Sequence, residues 1–136
     1  MYQIARLLIS ISPALMGAYL IFGELSNMAA SSAASNWPKA PGTVIEVKAD
    51  HSAYFPQSFI SYDYEVKGII YIGNRIKFGG GSASGYYANE AVDVSYNPHN
   101  YNEAVLETGL SSDYIFRLTV GIGLVLVGKL LWKRLE

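Results

Sequence analysis

The sequence predicts a membrane protein of the α+β class, in which N- and C-terminal transmembrane helices flank a small antiparallel β-sheet or partial barrel. Two observations predict the helices: residues 7–22 and 118–127 of the 136-residue chain contain no charged side chain. A third predicts the sheet, because apolar and polar residues between these runs alternate with the period of a half-buried strand. The chain is only 15% charged, whereas soluble domains average about 25%.

The two apolar segments are long enough to span a bilayer. A helix needs about 20 residues to cross the hydrocarbon, and residues 4–23 and 114–132 meet that length. Arg117 and Lys129 lie near the ends of the second span, where long basic side chains reach lipid headgroups. Residues 133–136 then form a short tail.

Two other interpretations of the apolar segments stay open at this point. A soluble protein could bury both helices, although a middle of this size would supply little core to cover them. The first helix and the small residues after it also resemble a secretory signal with its cleavage site. The first helix is therefore either a retained anchor or a cleaved signal.

The distribution of charge predicts the orientation. Basic residues flank both spans on the sides nearest the chain termini (Arg6, Lys129, Lys133 and Arg134). Residues 25–113 hold five basic and nine acidic side chains. Because cytoplasmic flanks favour Lys and Arg, both termini are expected in the cytoplasm. The central segment is expected outside the cytoplasmic (inner) membrane, with membrane lipid as a partner.

Small residues predict where the two spans pack on each other. Membrane helices associate through close approach at small side chains, since lipid supplies no hydrophobic drive between helices. Such residues recur at helical spacing in both spans. The candidate helix-packing residues are Ser10, Ala14, Gly17, Ala18, Gly121 and Gly128.

The middle of the chain predicts a linker and then a β domain. Residues 24–36 are rich in serine and alanine and predict a linker or a frayed helix extension. Residues 37–112 predict the domain, with strands over 43–48, 59–66, 69–76, 91–96 and, as a short fifth, 104–106. The Lys67-Gly68 pair between the second and third strands predicts a hairpin turn.

Three motifs in this domain resemble the DUF3592 family. The first is Trp37 followed by Gly42-Thr43-Val44, and the second runs from Tyr62-Asp63-Tyr64-Glu65-Val66 through Gly68 to Tyr71-Ile72-Gly73. The third is Val92-Asp93-Val94-Ser95-Tyr96-Asn97-Pro98 with Ala104-Val105-Leu106. The sequence departs from the family pattern at Asn97, where Asp is frequent, and at Tyr101, where Pro is common. The resemblance implies a β-rich bacterial domain flanked by membrane helices, of unknown function.

Composition and spacing argue against catalysis and against nucleic acid. Ten basic residues against eleven acidic ones leave no positive excess for nucleic acid, and cysteine is absent from the sequence. The two histidines, His51 and His99, lie 48 positions apart, without a neighbour at metal-ligand spacing. No nucleophile elbow occurs in a strand-to-helix context. The sequence therefore predicts no enzyme, no catalytic or metal site and no cofactor.

A loop rich in glycine, serine and tyrosine is the first candidate for contact with a partner protein. Tyrosine gives contact area at low entropic cost, and glycine and serine adapt to a partner. The candidate residues are Gly79, Gly80, Gly81, Ser82, Tyr86 and Tyr87. The leading hypothesis is a non-enzymatic protein that binds another protein, as an accessory subunit or a membrane-bound immunity protein. The alternative is a module that binds a small ligand or lipid at the membrane surface.

Overall fold

The computed structural model describes residues 2–50 and 57–135. Along the chain they form α1 (Tyr2–Ala34), β1 (Lys39–Asp50), β2 (Gln57–Val66), β3 (Ile69–Gly73), β4 (Ala91–Asn97), β5 (Asn100–Val105) and α2 (Ser112–Leu135). A single turn of 3₁₀ helix covers Ala83–Gly85. The chain divides into two compact units, one of residues up to Met28 with residues from Leu110 onward, the other Ala29–Gly109. Helices at both ends thus flank a β unit, as the sequence predicts.

Helix α1 is longer than the predicted first span, because it continues through residues 24–34, for which the sequence predicted a linker or a frayed helix extension. Alanine is the best helix former, and this segment contains four alanines. The last turns also pack: Ser31 and Ala34 are fully buried. The Ser31 hydroxyl donates to the Gly109 carbonyl at 2.8 Å, and the Gly109 N–H donates to the Ser31 carbonyl at 3.1 Å. These paired bonds explain why the segment is ordered as helix.

Helices α1 and α2 are both long and apolar enough to cross a membrane. In α2, Asp113 lies in the first turn, and Lys133 and Arg134 lie in the last. These charges complement the helix dipole, whose N-terminus is partially positive and whose C-terminus is partially negative. The predicted second span, residues 114–132, lies within α2.

The five strands form one antiparallel sheet in the order β3-β2-β1-β4-β5. The long strand β1 pairs with both of its neighbours: Lys39–Thr43 pairs with β4, and residues 42–50 pair with β2. An irregularity between Val44 and Glu46 lies after the segment shared by the two pairings. Because a bulge bends a strand and increases its twist, this irregularity helps the sheet to curl.

The two edge strands, β3 and β5, approach each other and nearly close the sheet into a barrel. The Tyr71 and Tyr101 rings lie 6.1 Å apart, and just beyond the ends of both strands the Ile76 carbonyl accepts the Leu106 N–H at 2.9 Å. Residue numbers increase together along this seam, so β3 and β5 run parallel. This strand order with a parallel seam is the topology of five-stranded Greek-key barrels of the OB class. Topology of this kind is shared by proteins of many functions.

The structure moves several predicted strand ends: β1 begins at Lys39 and not at Thr43, and the ends of β3 and β5 also differ. Strand β3 ends at Gly73 and not at Ile76, because the chain leaves β2 there to meet β5. Strand β5 begins at Asn100, four residues before the predicted fifth strand. Its first three residues, Asn-Tyr-Asn, are not typical of strands, and pairing with β4 supplies the order that local propensity does not.

Tyrosines fill the interior of the barrel. Tyr62 and Tyr64 are buried together with Val44 and Val94. The Tyr62 hydroxyl donates to the Arg75 carbonyl at 2.7 Å and also lies 3.2 Å from the Ala104 carbonyl. Its ring lies over Gly73, where an added Cβ would come within 2.5 Å of the ring. Burial raises the pKa of Tyr62 well above its ordinary value, so the hydroxyl keeps the proton that it donates across the seam.

We predict that the Tyr62→Phe variant of the full chain is less stable by about 1–2 kcal/mol, because two carbonyls at the seam lose their hydroxyl partner. The measurement is unfolding followed by near-UV circular dichroism in detergent micelles. Tyr71→Phe is the matched control: Tyr71 stacks on Tyr64 at 5.7 Å, and its hydroxyl has no hydrogen bond within residues 2–50 and 57–135. Equal losses in the two variants would contradict the closing role of the Tyr62 hydroxyl.

Candidate binding surface

The structure places the three glycines of the predicted partner-binding loop in a tight turn after β3. The Lys77 N–H donates to the Gly80 carbonyl at 3.2 Å, and the Gly80 N–H donates back to the Lys77 carbonyl at 3.3 Å. Gly79, Gly80 and Gly81 all have positive φ angles, between 80° and 139°. Residues with a side chain rarely adopt these conformations, so the turn requires glycine, and its exposed backbone is held in one shape.

The rest of this loop is anchored more firmly than its composition indicates. Ser82 caps the short 3₁₀ helix by accepting the Ser84 N–H at 3.3 Å, and Ala83 is buried in the barrel core. The Tyr86 hydroxyl donates to Glu107 Oε1 at 3.0 Å. Burial, and then the Glu107 carboxylate, raise the pKa of Tyr86 to about 12. Of the two loop tyrosines, only Tyr87 presents its ring to solvent, with 72% of the residue exposed.

A second exposed surface, which the sequence analysis did not single out, lies on the outside of the β2–β3 hairpin. Ile70 and Ile72 of β3 are 68% and 67% exposed. Ile70 pairs with Glu65, and Ile72 pairs with Asp63, so the four side chains share one face. We call these four residues the β2–β3 face. The alternation of β2 and the two-residue turn could have located it, since together they place these isoleucines opposite the acidic residues.

A shallow groove of about 420 Å³ adjoins the β2–β3 face. It is lined by Pro41, Gly42, Thr43, Asp63, Tyr64, Glu65, Ile70 and Ala91. Two of these eight residues are carboxylates and none is basic. Asp63 is held in place because its Oδ1 accepts the Thr43 N–H at 3.0 Å. The groove therefore combines an apolar side chain with an oriented negative charge.

The predicted helix-packing glycines lie where α1 and α2 touch. A Cβ on Gly17 would come within 2.6 Å of the Gly121 carbonyl oxygen, and a Cβ on Gly128 would come within 2.8 Å of the Ala14 Cβ. As numbers rise along α1 they fall along α2, so the helices are antiparallel. Ala18 is exposed, and the side chain of Ser10 lies outside the described residues. The contact therefore uses Ala14, Gly17, Gly121 and Gly128.

An ion pair joins the same two helices. Arg117 Nε lies 3.3 Å from Glu24 Oε1, and only 9% of the Glu24 side chain is exposed. Glu24 Oε2 is buried without a hydrogen-bond partner among the described residues. Arg117 was expected from the sequence to reach lipid headgroups. Local sequence pattern could not reveal this ion pair, because Glu24 and Arg117 lie far apart in the chain. Each of the two residues borders an uncharged run.

The described residues contain no group of three or more His, Asp or Glu side chains that could hold a metal ion. His99 lies exposed in the β4–β5 turn, where its backbone N–H donates to Asn97 Oδ1 at 2.9 Å. His51 lies outside the described residues. The expectation that the protein is not an enzyme stays a prediction.

Fold and surfaces together define a class: a nearly closed five-stranded barrel between two apolar helices, with an exposed acidic and apolar face. A family model described as "Domain of unknown function (DUF3592)" matches residues 28–111, more than half of the chain. The chain belongs to this family, which confirms the resemblance found in its sequence motifs. The match covers the end of α1 and the whole barrel. No curated protein and no solved structure matches significantly.

The helix contact predicts opposite effects for two Gly→Ala changes in α1. Alanine normally stabilises a helix interior by about 0.5–1 kcal/mol relative to glycine. Gly23→Ala should show that gain, since nothing lies within 4 Å of an added Cβ. Gly17→Ala should instead cost about 1–3 kcal/mol, because the new methyl meets the backbone of α2.

Thermal unfolding of the full chain in detergent, followed by helical circular dichroism, measures both variants. A gain of stability in Gly17→Ala equal to that in Gly23→Ala would show that the helices do not pack at Gly17.

Proposed function

We propose that this protein is a non-enzymatic, two-span protein of the bacterial cytoplasmic (inner) membrane that holds its barrel on the extracytoplasmic side for contact with another protein. The observation that carries the membrane assignment is the inverted arrangement of side chains in the helix pair. Glycine and alanine lie in the contact between the helices with Ile21 and Val125 packed beside them, and most of the other large apolar side chains are exposed. This arrangement is typical of helices that pack in lipid.

The outward side chains of both helices support this assignment. In α1 they include Leu8, Ile9, Leu15, Met16, Tyr19 and Phe22, and in α2 they include Ile115, Phe116, Leu126 and Leu130; all are exposed. Water-soluble monomers rarely expose a contiguous apolar area larger than a few hundred Å². A bilayer would cover these side chains, and the basic residues at both chain ends favour cytoplasmic termini.

The barrel supports a role in surface contact. Its interior is occupied by buried tyrosines and valines, among them Tyr62, Tyr64 and Val94. A binding partner would therefore meet the outside of the barrel, where Ile70, Ile72 and Tyr87 are exposed. An accessory subunit of a membrane complex or a membrane-bound immunity protein needs only such a surface. A lipid or small ligand, as the alternative, would have to bind the same outer surface.

Single-cysteine labelling tests the topology, because the natural sequence contains no cysteine. His99→Cys places a thiol in an exposed turn of the barrel, and Lys133→Cys places one in the last turn of α2. A membrane-impermeant maleimide should label His99→Cys in intact cells and Lys133→Cys only after permeabilisation. The reverse pattern would refute the orientation. The mass of the mature chain shows whether the first helix is retained.

Purification from native membranes tests the role in protein contact. In mild detergent, the full chain should retain a second protein at fixed stoichiometry, since an exposed apolar face is stable when a partner covers it. Native mass spectrometry of the purified sample measures this. A bound lipid that survives delipidation, with no second protein, would favour the ligand-binding alternative and refute the proposed role.

A further inference from the structure

The β2–β3 face combines two exposed apolar side chains with two acidic neighbours. Ile70 and Ile72 are about two-thirds exposed, although the fold does not require apolar residues there. On the opposite side of the same strand, Tyr71 stacks on Tyr64 inside the barrel. Exposed isoleucines on a strand favour pairing or aggregation unless a partner covers them.

The charged residues on the β1 side of this face are acidic, whereas toward β5 Ile72 borders a second groove that is also lined by Arg75 and Glu103, which lie 3.7 Å apart. Asp63 lies opposite Ile72 and Glu65 lies opposite Ile70 across the hairpin. None of the residues that line the adjoining groove is basic. Asp93 extends the acidic character, since it pairs with Pro41 on the neighbouring strands. Complementary charge selects partners and suppresses wrong ones, because like charges brought together are unfavourable.

The geometry also excludes simple strand addition. The free edge of β3 faces β5, and the seam is held by the Tyr62 hydroxyl and by the Ile76–Leu106 hydrogen bond. A ligand must therefore lie across the face and not extend the sheet.

We propose that the β2–β3 face docks a basic segment of a partner protein. Apolar side chains of that segment cover Ile70 and Ile72, and its Lys or Arg side chains meet Glu65 and Asp63. A second copy of this chain would place acidic residues against acidic residues, and anionic headgroups would be repelled in the same way. The inference rests on the proposed role in protein contact and names the site and the chemistry of the partner.

Photo-crosslinking in native cells tests the site. Benzoylphenylalanine is placed in the full chain at Ile72, on the face, or at Tyr87, in the loop, and cross-linked peptides are identified by mass spectrometry. The proposal expects the Ile72 probe to label a segment of another protein with a net positive charge. Labelling of a second copy, of lipid or of an acidic or neutral segment would overturn it.

A charge reversal adds a second, independent measurement. Glu65→Lys should lower the yield from the Ile72 probe by about fivefold or more, the size expected when a close charge pair becomes repulsive. Glu46→Lys is the control, because Glu46 is also an exposed strand carboxylate but pairs with Lys48 at 2.9 Å outside the groove. Equal yields from the two variants would overturn the proposal. Unchanged unfolding temperatures show that both variants fold.

The outcomes separate this inference from the proposed function. Cross-links to a protein from Tyr87 alone would overturn the β2–β3 face as the site and leave the role in protein contact intact. No cross-link to another protein from either position would overturn both.

Discussion

Closure of the barrel at the seam between β3 and β5 is the constraint on which the β unit depends. The strand order leaves these two strands as the edges of the sheet, and unpaired edges invite association with other chains. Tyr62 reaches from β2 through the interior to carbonyls on both sides of the seam. The reach is possible because Gly73, its cross-strand partner, leaves room for the ring. The closed seam leaves the outer faces of the strands as the surfaces open to a partner.

The two helices pack through small residues, whereas large tyrosines fill the interior of the barrel. Glycines let the two backbones approach until a single added methyl group would collide, and the side chains of Ile21 and Val125 pack against these glycines. The Glu24–Arg117 pair adds an electrostatic contact whose carboxylate is almost fully withdrawn from solvent. Removing one member of such a pair leaves an uncompensated buried charge, which is unfavourable. The pair thus ties the alignment of α1 to that of α2.

Local pattern was sufficient to predict most of the secondary structure. The strict alternation of β2 and the Lys67-Gly68 turn predicted the hairpin, which the structure confirms with Glu65 paired to Ile70. The segment 24–34 left a linker and a helix extension open, because its serines suggest a linker, while its order comes from the long-range bonds between Ser31 and Gly109. The early start of β5 was missed because asparagine has a weak strand propensity, which the pairing of Asn100 with Asn97 of β4 outweighs.

The sequence predicts a candidate surface correctly only where the composition of a segment agrees with how its side chains pack in the fold. A loop rich in glycine and serine is typical of mobile chain, and composition does not show that Ala83 enters the core or that Tyr86 binds Glu107. The β2–β3 face, in contrast, follows from register alone, which brings two acidic residues of one strand beside two isoleucines of the next. Charges flanking an apolar strand also limit its self-association. The same acidic residues can therefore keep identical copies apart while leaving the isoleucines available to a partner of opposite charge.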